Sequence, residues 1–168
     1  MTELSCGDGR RVRVCASAPD SEIALGFEGA PYAAVIWACE PFEPRLRTEI
    51  ANRLVFSGCC YIVCGGVDCK EWHDDADVAI MRMEASSPTS TDSATVMTTW
   101  HWGKSEVGVL WYAFNCTFDP TTTDQSTEDG LLNLLILVAS CDSATLGRLE
   151  ALVKRASEPT ADSSLRSE

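Results

Sequence analysis

The chain has 168 residues, 45% of them hydrophobic and 23% charged, which fits one soluble globular domain with a real hydrophobic core. Its 13 basic and 25 acidic residues give a net charge of -12, a surface that repels phosphate backbones and anionic lipid. Nucleic acid and membrane surfaces are therefore excluded as expected partners, whereas a protein partner, above all a basic one, remains open.

Residues 1–30 are expected to form an N-terminal strand or hairpin extension. Arg10 to Cys15 alternates basic and apolar residues, and Ile23, Leu25 and Phe27 also sit at period two. The two runs predict a short hairpin across the turn Ala18-Pro19-Asp20-Ser21.

Residues 31–157 carry the main α/β pattern. Tyr32 to Cys39 is a continuous apolar run, as expected of a strand covered on both faces. A helix follows over Arg45 to Phe56, with Leu46, Ile50 and Leu54 as its stripe and Ser57-Gly58 as its stop. Cys59 to Cys64 reads as a second buried strand closed by Gly65-Gly66. Asp68 then opens a second helix, where Asp68 and Glu71 have the spacing of a capping box, and Trp72, Ala76, Ala79, Ile80 and Met83 face inward.

After a polar loop over Ser86 to Ser93, Thr95 to His101 is the third main strand. Ser105 caps a third helix with Val107, Leu110, Trp111 and Phe114 inward; a strand is the alternative, because Val109 to Phe118 is rich in β-formers. A second polar loop spans Asp119 to Gly130. Leu131 to Ala139 is the fourth main strand, and Ser143 to Ala156 the last helix. Residues 158–168 are polar and expected to be a disordered tail. Strands alternating with helices predict a small doubly wound, Rossmann- or flavodoxin-like sheet, mostly parallel, with main strand order 2-1-3-4.

Nine cysteines are an odd number, and the opening MTELSCGDGRRVRV has no apolar signal-peptide core. Several cysteines lie within apolar runs, as in Cys59-Cys60-Tyr61-Ile62-Val63-Cys64, where they act as small buried hydrophobes. The expectation is a cytoplasmic protein with all nine thiols free. The spacings suit no zinc site. No apolar run approaches the roughly 20 residues that span a bilayer.

Both histidines follow a tryptophan, in Trp72-His73 and Trp100-His101. With order 2-1-3-4 the topological switch falls between the first and third main strands, where Glu40 and His101 leave the sheet. Open α/β sheets bind ligands at that edge. His101, His73 and Glu40 are the candidate catalytic residues, and Gly65, Gly66, Glu71, Asp74, Thr99 and Trp100 the candidate ligand-binding residues. A histidine beside a carboxylate is the minimal kit for acid/base chemistry.

Each residue also has a plain structural reading. Glu71 caps a helix, His73 pairs with Asp77 one turn on, Glu40 is a loop carboxylate, and His101 steadies a strand end. No dinucleotide fingerprint and no nucleophile elbow is present, and Gly103-Lys104-Ser105 lacks the upstream glycine of a Walker loop. Backbone amides there can still hold an anion at a helix start. Cys69, at the start of a helix, is a further candidate nucleophile. No cofactor or metal is expected.

The segments DCKEWHDD (Asp68 to Asp75) and VMTTWH (Val96 to His101) resemble recurring segments of an uncharacterised bacterial α/β domain family. The resemblance spans most of Pro31 to Ala156; it implies a fold and brings no activity and no functional residue. The expected function is an acidic cytoplasmic binding or regulatory module acting through a protein partner. The alternative is a small hydrolase-type enzyme using His73, His101 and nearby carboxylates, which requires both histidines in one cleft.

Overall fold

The structure is a computed structural model describing residues 2–6, 9–17, 27, 29–86, 96–118, 131–139 and 142–157. At its centre β3 (Tyr32–Ala38) lies between β4 (Cys59–Gly66) and β6 (Asn133–Ala139), parallel to both. All three are buried almost throughout, as their unbroken apolar runs require. β5 (Met97–His101) adds in parallel outside β4. On the other side β2 (Arg11–Ser17) pairs in parallel with β6, and β1 (Thr2–Ser5) closes the sheet antiparallel to β2.

Helices cover both faces. α1 (Pro44–Phe56) starts with proline in its first turn and with the Glu43 carboxylate accepting the Leu46 N–H at 2.9 Å. α2 (Cys69–Ser86) packs beside it, burying Trp72, Ala76 and Ala79 over Ile36 and Ile62. α3 (Glu106–Cys116), capped by the Ser105 hydroxyl, and α4 (Ser143–Ser157), capped by Asp142, cover the opposite face. Burial of Val109, Leu110, Ala113 and Phe114 decides for a helix where a strand was the alternative. Asp68 takes φ 54°, outside the extended conformation of an N-cap, so the expected capping box with Glu71 is replaced by a left-handed turn.

The observed order is β1-β2-β6-β3-β4-β5. This corrects the expected 2-1-3-4: the same four main strands run 4-1-2-3. The reason lies in polarity. Met-Thr-Thr-Trp-His is half exposed and suits an edge, whereas Asn-Leu-Leu-Ile-Leu-Val-Ala is buried along its whole length and needs a neighbour on each side.

The N-terminal hairpin also differs from expectation. β2 pairs with Thr2–Ser5 along one edge and with β6 along the other, so it is itself a strand of the main sheet. Ile23 and Leu25 lie outside the described residues. Phe27 bridges to Ala30, and the Arg11 and Arg13 guanidinium groups lie 5.5 and 4.6 Å from its ring centroid. Val12 and Val14, on the other face, join the core beneath α4. Residues 87–95, 119–130 and 158–168, which take in most of the expected polar loops and the tail, are also outside the described residues. Among those described, no helix is long and apolar enough to cross a membrane.

The topology sets where the chain can open. From β3 it runs through α1 on one face; from β6 it runs through α4 on the other. The carboxyl ends of β3 and β6 thus form the switch point of the sheet. Next to it, the end of β4 is drawn tight against β3. Gly66 sits at φ 81°, and a Cβ there would come 2.1 Å from the Ala38 carbonyl oxygen, while one on Gly65 would meet the Trp37 ring at 2.8 Å. The Val67 N–H donates to the same Ala38 carbonyl. Gly58 has a similar φ of 88° but open space around it. Gly66→Ala should therefore cost roughly 2–4 kcal/mol, combining backbone strain with the clash, and Gly58→Ala about 1 kcal/mol. Urea unfolding of the two variants checks this; equal losses would show that the close approach carries no weight.

Candidate functional site

An open cleft of about 1040 Å³ lies along the carboxyl edge of the sheet. Trp37, Ala38 and Cys39 form its floor at the end of β3. Gly66 to Glu71 bring the β4–α2 turn, Trp100 and Trp102 to Lys104 the end of β5, and Glu106, Thr145 and Arg148 the first turns of α3 and α4. Three helices thus start at one cleft. Helix starts present unpaired N–H groups and positive dipole ends, which suits an anion.

Its basic side chains are held differently. Arg148 donates to the Glu106 carboxylate at 2.8 Å, joining α4 to α3, and to the Thr145 hydroxyl at 3.2 Å. Lys70 pairs with Asp74 at 2.6 Å, which holds the Asp74 carboxyl below its ordinary range. Lys104 makes no ion pair among the described residues. Trp100 is half exposed and Trp102 is 82% exposed. The two indoles therefore stand at the outer, β5 end of the cleft.

The two histidines do not share this cleft. They point to opposite faces of β5. On the α2 side, the Thr98 hydroxyl donates to Asp77 Oδ1 at 2.7 Å and lies 3.1 Å from His73 Nε2. Since Thr98 spends its proton on Asp77, His73 Nε2 must carry a hydrogen and donate to the Thr98 oxygen. The His73 ring packs edge-on against Trp100, with centroids 4.5 Å apart. On the α3 side, the His101 ring lies 4.4 Å from that of Tyr112, and its Nε2 is buried without a hydrogen-bond partner among the described residues. His73 fastens α2 to the edge strand; His101 packs under α3.

Of the predicted ligand-binding residues, Gly66, Glu71 and Trp100 line the cleft; Gly65, Asp74 and Thr99 do not. Gly65 lies packed under Trp37, Asp74 is occupied by Lys70, and the Thr99 hydroxyl is buried without a partner among the described residues. Of the predicted catalytic residues, His73, His101 and Glu40 all lie outside the lining. Glu40 is exposed beyond β3, and β4 separates that strand from the one carrying His101. The expected Glu40–His101 pairing across the switch is therefore corrected by the strand order.

The residues missed by sequence reasoning are Trp37, Cys39, Lys70, Thr145 and Arg148. Trp102, which with Trp100 reads in the sequence as packing or as an aromatic wall for a planar ligand, and Lys104, beside the helix start at Ser105, both line the cleft. Nothing in the sequence spacing marks Arg148, which reaches the cleft from α4.

Cysteine chemistry at the site also departs from expectation. Cys39 is disulfide-bonded, so the nine thiols are not all free. Cys69, also in the lining, is a buried thiol whose sulfur accepts backbone N–H groups of Lys70 and His101. Burial outweighs those bonds and raises its pKa, which keeps it protonated and a poor nucleophile. Among the described residues no group of three or more His, Cys, Asp or Glu is placed to hold a metal ion.

Residues 12–156 match the family described as a domain of unknown function, DUF7684. The chain belongs to that family. No curated protein and no solved structure matches it. The DUF7684 match begins inside β2 and ends within α4, so it takes in five of the six strands and all four helices.

Burial, followed by the nearby Lys104 charge, lowers the His101 pKa from 6.5, so the folded protein resists protonation there. Below pH 6.5 the unfolded chain takes up a proton that the folded chain does not. Folding stability therefore falls as the pH drops through that value. Between about pH 7.5 and 5, on either side of the ordinary histidine pKa, the urea midpoint should drop further for the wild type than for His101→Gln. An equal drop would mean that His101 is hydrated in solution.

Proposed function

We propose that this domain is a binding module whose cleft takes a small molecule combining an anionic group with a flat ring. The observation that carries this reading is the convergence of three helix starts and of Lys104, which makes no ion pair among the described residues, on one cleft that also presents Trp100 and Trp102. The helix starts and Lys104 favour negative charge, and the indoles offer stacking surface to a planar group. A hydrolase using His73 and His101 is disfavoured because the two rings lie on opposite faces of the edge strand.

The test is calorimetric titration with a nucleoside monophosphate, and with inorganic phosphate and the free nucleoside as its two halves. The intact nucleotide should bind more tightly than either half. Lys104→Ala should weaken it roughly tenfold, about 1.4 kcal/mol, as expected for one charge-assisted contact. Trp102→Ala should also weaken it. No binding at millimolar nucleotide, or binding indifferent to both variants, would refute the reading.

A regulatory role through a protein partner is the second reading. It is supported by Val107 and Trp111, one turn apart on α3, and by Phe118, all at least half exposed on a strongly acidic protein. A cytoplasmic site of action is supported by the seven free thiols among the described residues. Trp111→Glu should abolish capture of a specific partner and leave the cleft titration unchanged. A partner retained by that variant would remove this face from consideration.

A further inference from the structure

Among the described residues Arg148 is the one arginine that lines the cleft, and its guanidinium already grips a carboxylate. Nη2 donates to Glu106 Oε1 at 2.8 Å and Nε to Glu106 Oε2 at 3.4 Å, so the fork holds the carboxylate side-on. Glu106 lines the cleft as well. We propose that Glu106 is a built-in competitor: the anionic group of the cleft's ligand displaces it from Arg148 and takes its place on the guanidinium. Such competition rests on the anion-binding reading of the cleft given above.

Arg148 does not depend on Glu106 for its position. Its Nη2 also donates at 3.2 Å to the hydroxyl of Thr145, a buried residue one turn back on the same helix. The guanidinium therefore stays at the cleft wall when the carboxylate leaves. Its Nη1 has no hydrogen-bond partner among the described residues, which leaves a donor for a further ligand oxygen.

Glu106, once displaced, is not stranded. It is the acidic residue in the first turn of α3, where the helix dipole favours negative charge. The pair itself is weakly held, because the Arg148 side chain is 57% exposed and water competes for it. Nor do the two helices need it. Leu110 and Phe114 of α3 and Leu149 and Val153 of α4 belong to one buried apolar cluster, which keeps the helices in place when the ion pair opens.

The competition also selects what can bind. Lys70 and Arg148 are both neutralised by carboxylates, those of Asp74 and Glu106, while Asp68 and Glu71 add negative charge to the lining. A weakly charged ligand meets that wall with Lys104 alone to attract it. A phosphoryl group presents adjacent oxygens that match the fork Glu106 fills, and it carries more charge than the carboxylate it replaces. The ligand class is therefore a phosphate monoester. A neutral ring compound leaves the Arg148–Glu106 pair closed.

Calorimetric titration of the full chain with adenosine monophosphate at fixed ionic strength tests this. Glu106→Gln keeps the shape and removes the charge; it should tighten binding roughly three- to fivefold, the upper span of an exposed ion pair. Arg148→Gln should weaken binding about tenfold. In the double variant the gain from Glu106→Gln should vanish, because the competitor has nothing left to release. Adenosine itself should bind the wild type and all variants alike, and the urea midpoint should barely move. Tightening that persists without Arg148 would mean general charge repulsion, and unchanged or weaker binding by Glu106→Gln would mean that Glu106 supports the site. A large fall in the urea midpoint of Glu106→Gln would mean a structural tie. Each overturns the competition and leaves the anion site standing, provided that Lys104→Ala still weakens binding. No binding by either the wild type or Glu106→Gln at millimolar nucleotide would overturn both.

Discussion

The constraint on which this molecule depends is that β3 must be buried on both faces and along both edges. Ala33, Ala34, Val35 and Ile36 are inaccessible or nearly so, which demands a helical layer above and below and a parallel strand on either side. Satisfying it uses β4 and β6 as neighbours and divides the four helices into two pairs. Because the chain leaves β3 and β6 on opposite faces, the same arrangement leaves a gap at their carboxyl ends. The cleft is thus a by-product of covering the central strand.

The close approach at the end of β4 carries that constraint into the site. Two glycines let Trp37 lie over Gly65 and let the turn after Gly66 bond to the Ala38 carbonyl. That turn aims the start of α2 at the cleft. The Gly65-Gly66 pair therefore shapes the site through backbone geometry, with Gly66 alone bordering the cleft.

Much of the architecture is legible in the residues. Tyr32 to Cys39 reads as a central strand because no polar position interrupts it, and the stripe Leu46, Ile50 and Leu54 reads as a helix because those residues stand four apart. Strand order is harder, since parallel crossovers leave the choice of neighbour open. The polar composition of Met97 to His101 holds the missing clue. The site inherits the error: Glu40 and His101 meet only if their strands are adjacent, and β4 lies between them. The bonded state of Cys39 escapes for a different reason. An odd total argues for free thiols as a set and says nothing against one pair among nine.

The pairing of β2 with β6 has a consequence for how the chain is made. Arg11 and Asn133 share a side-chain hydrogen bond across 122 positions of sequence. During synthesis β3, α1, β4 and α2 can assemble while one edge of β3 still waits for residues 133–139. Until those emerge, the most apolar strand of the nascent sheet presents an open row of backbone donors and acceptors, the kind of edge that recruits stray strands. Contacts this distant in sequence also slow folding, because a long loop must close before they form. The acidic surface, by keeping growing chains apart, gives the molecule time to complete its own sheet before a neighbour does.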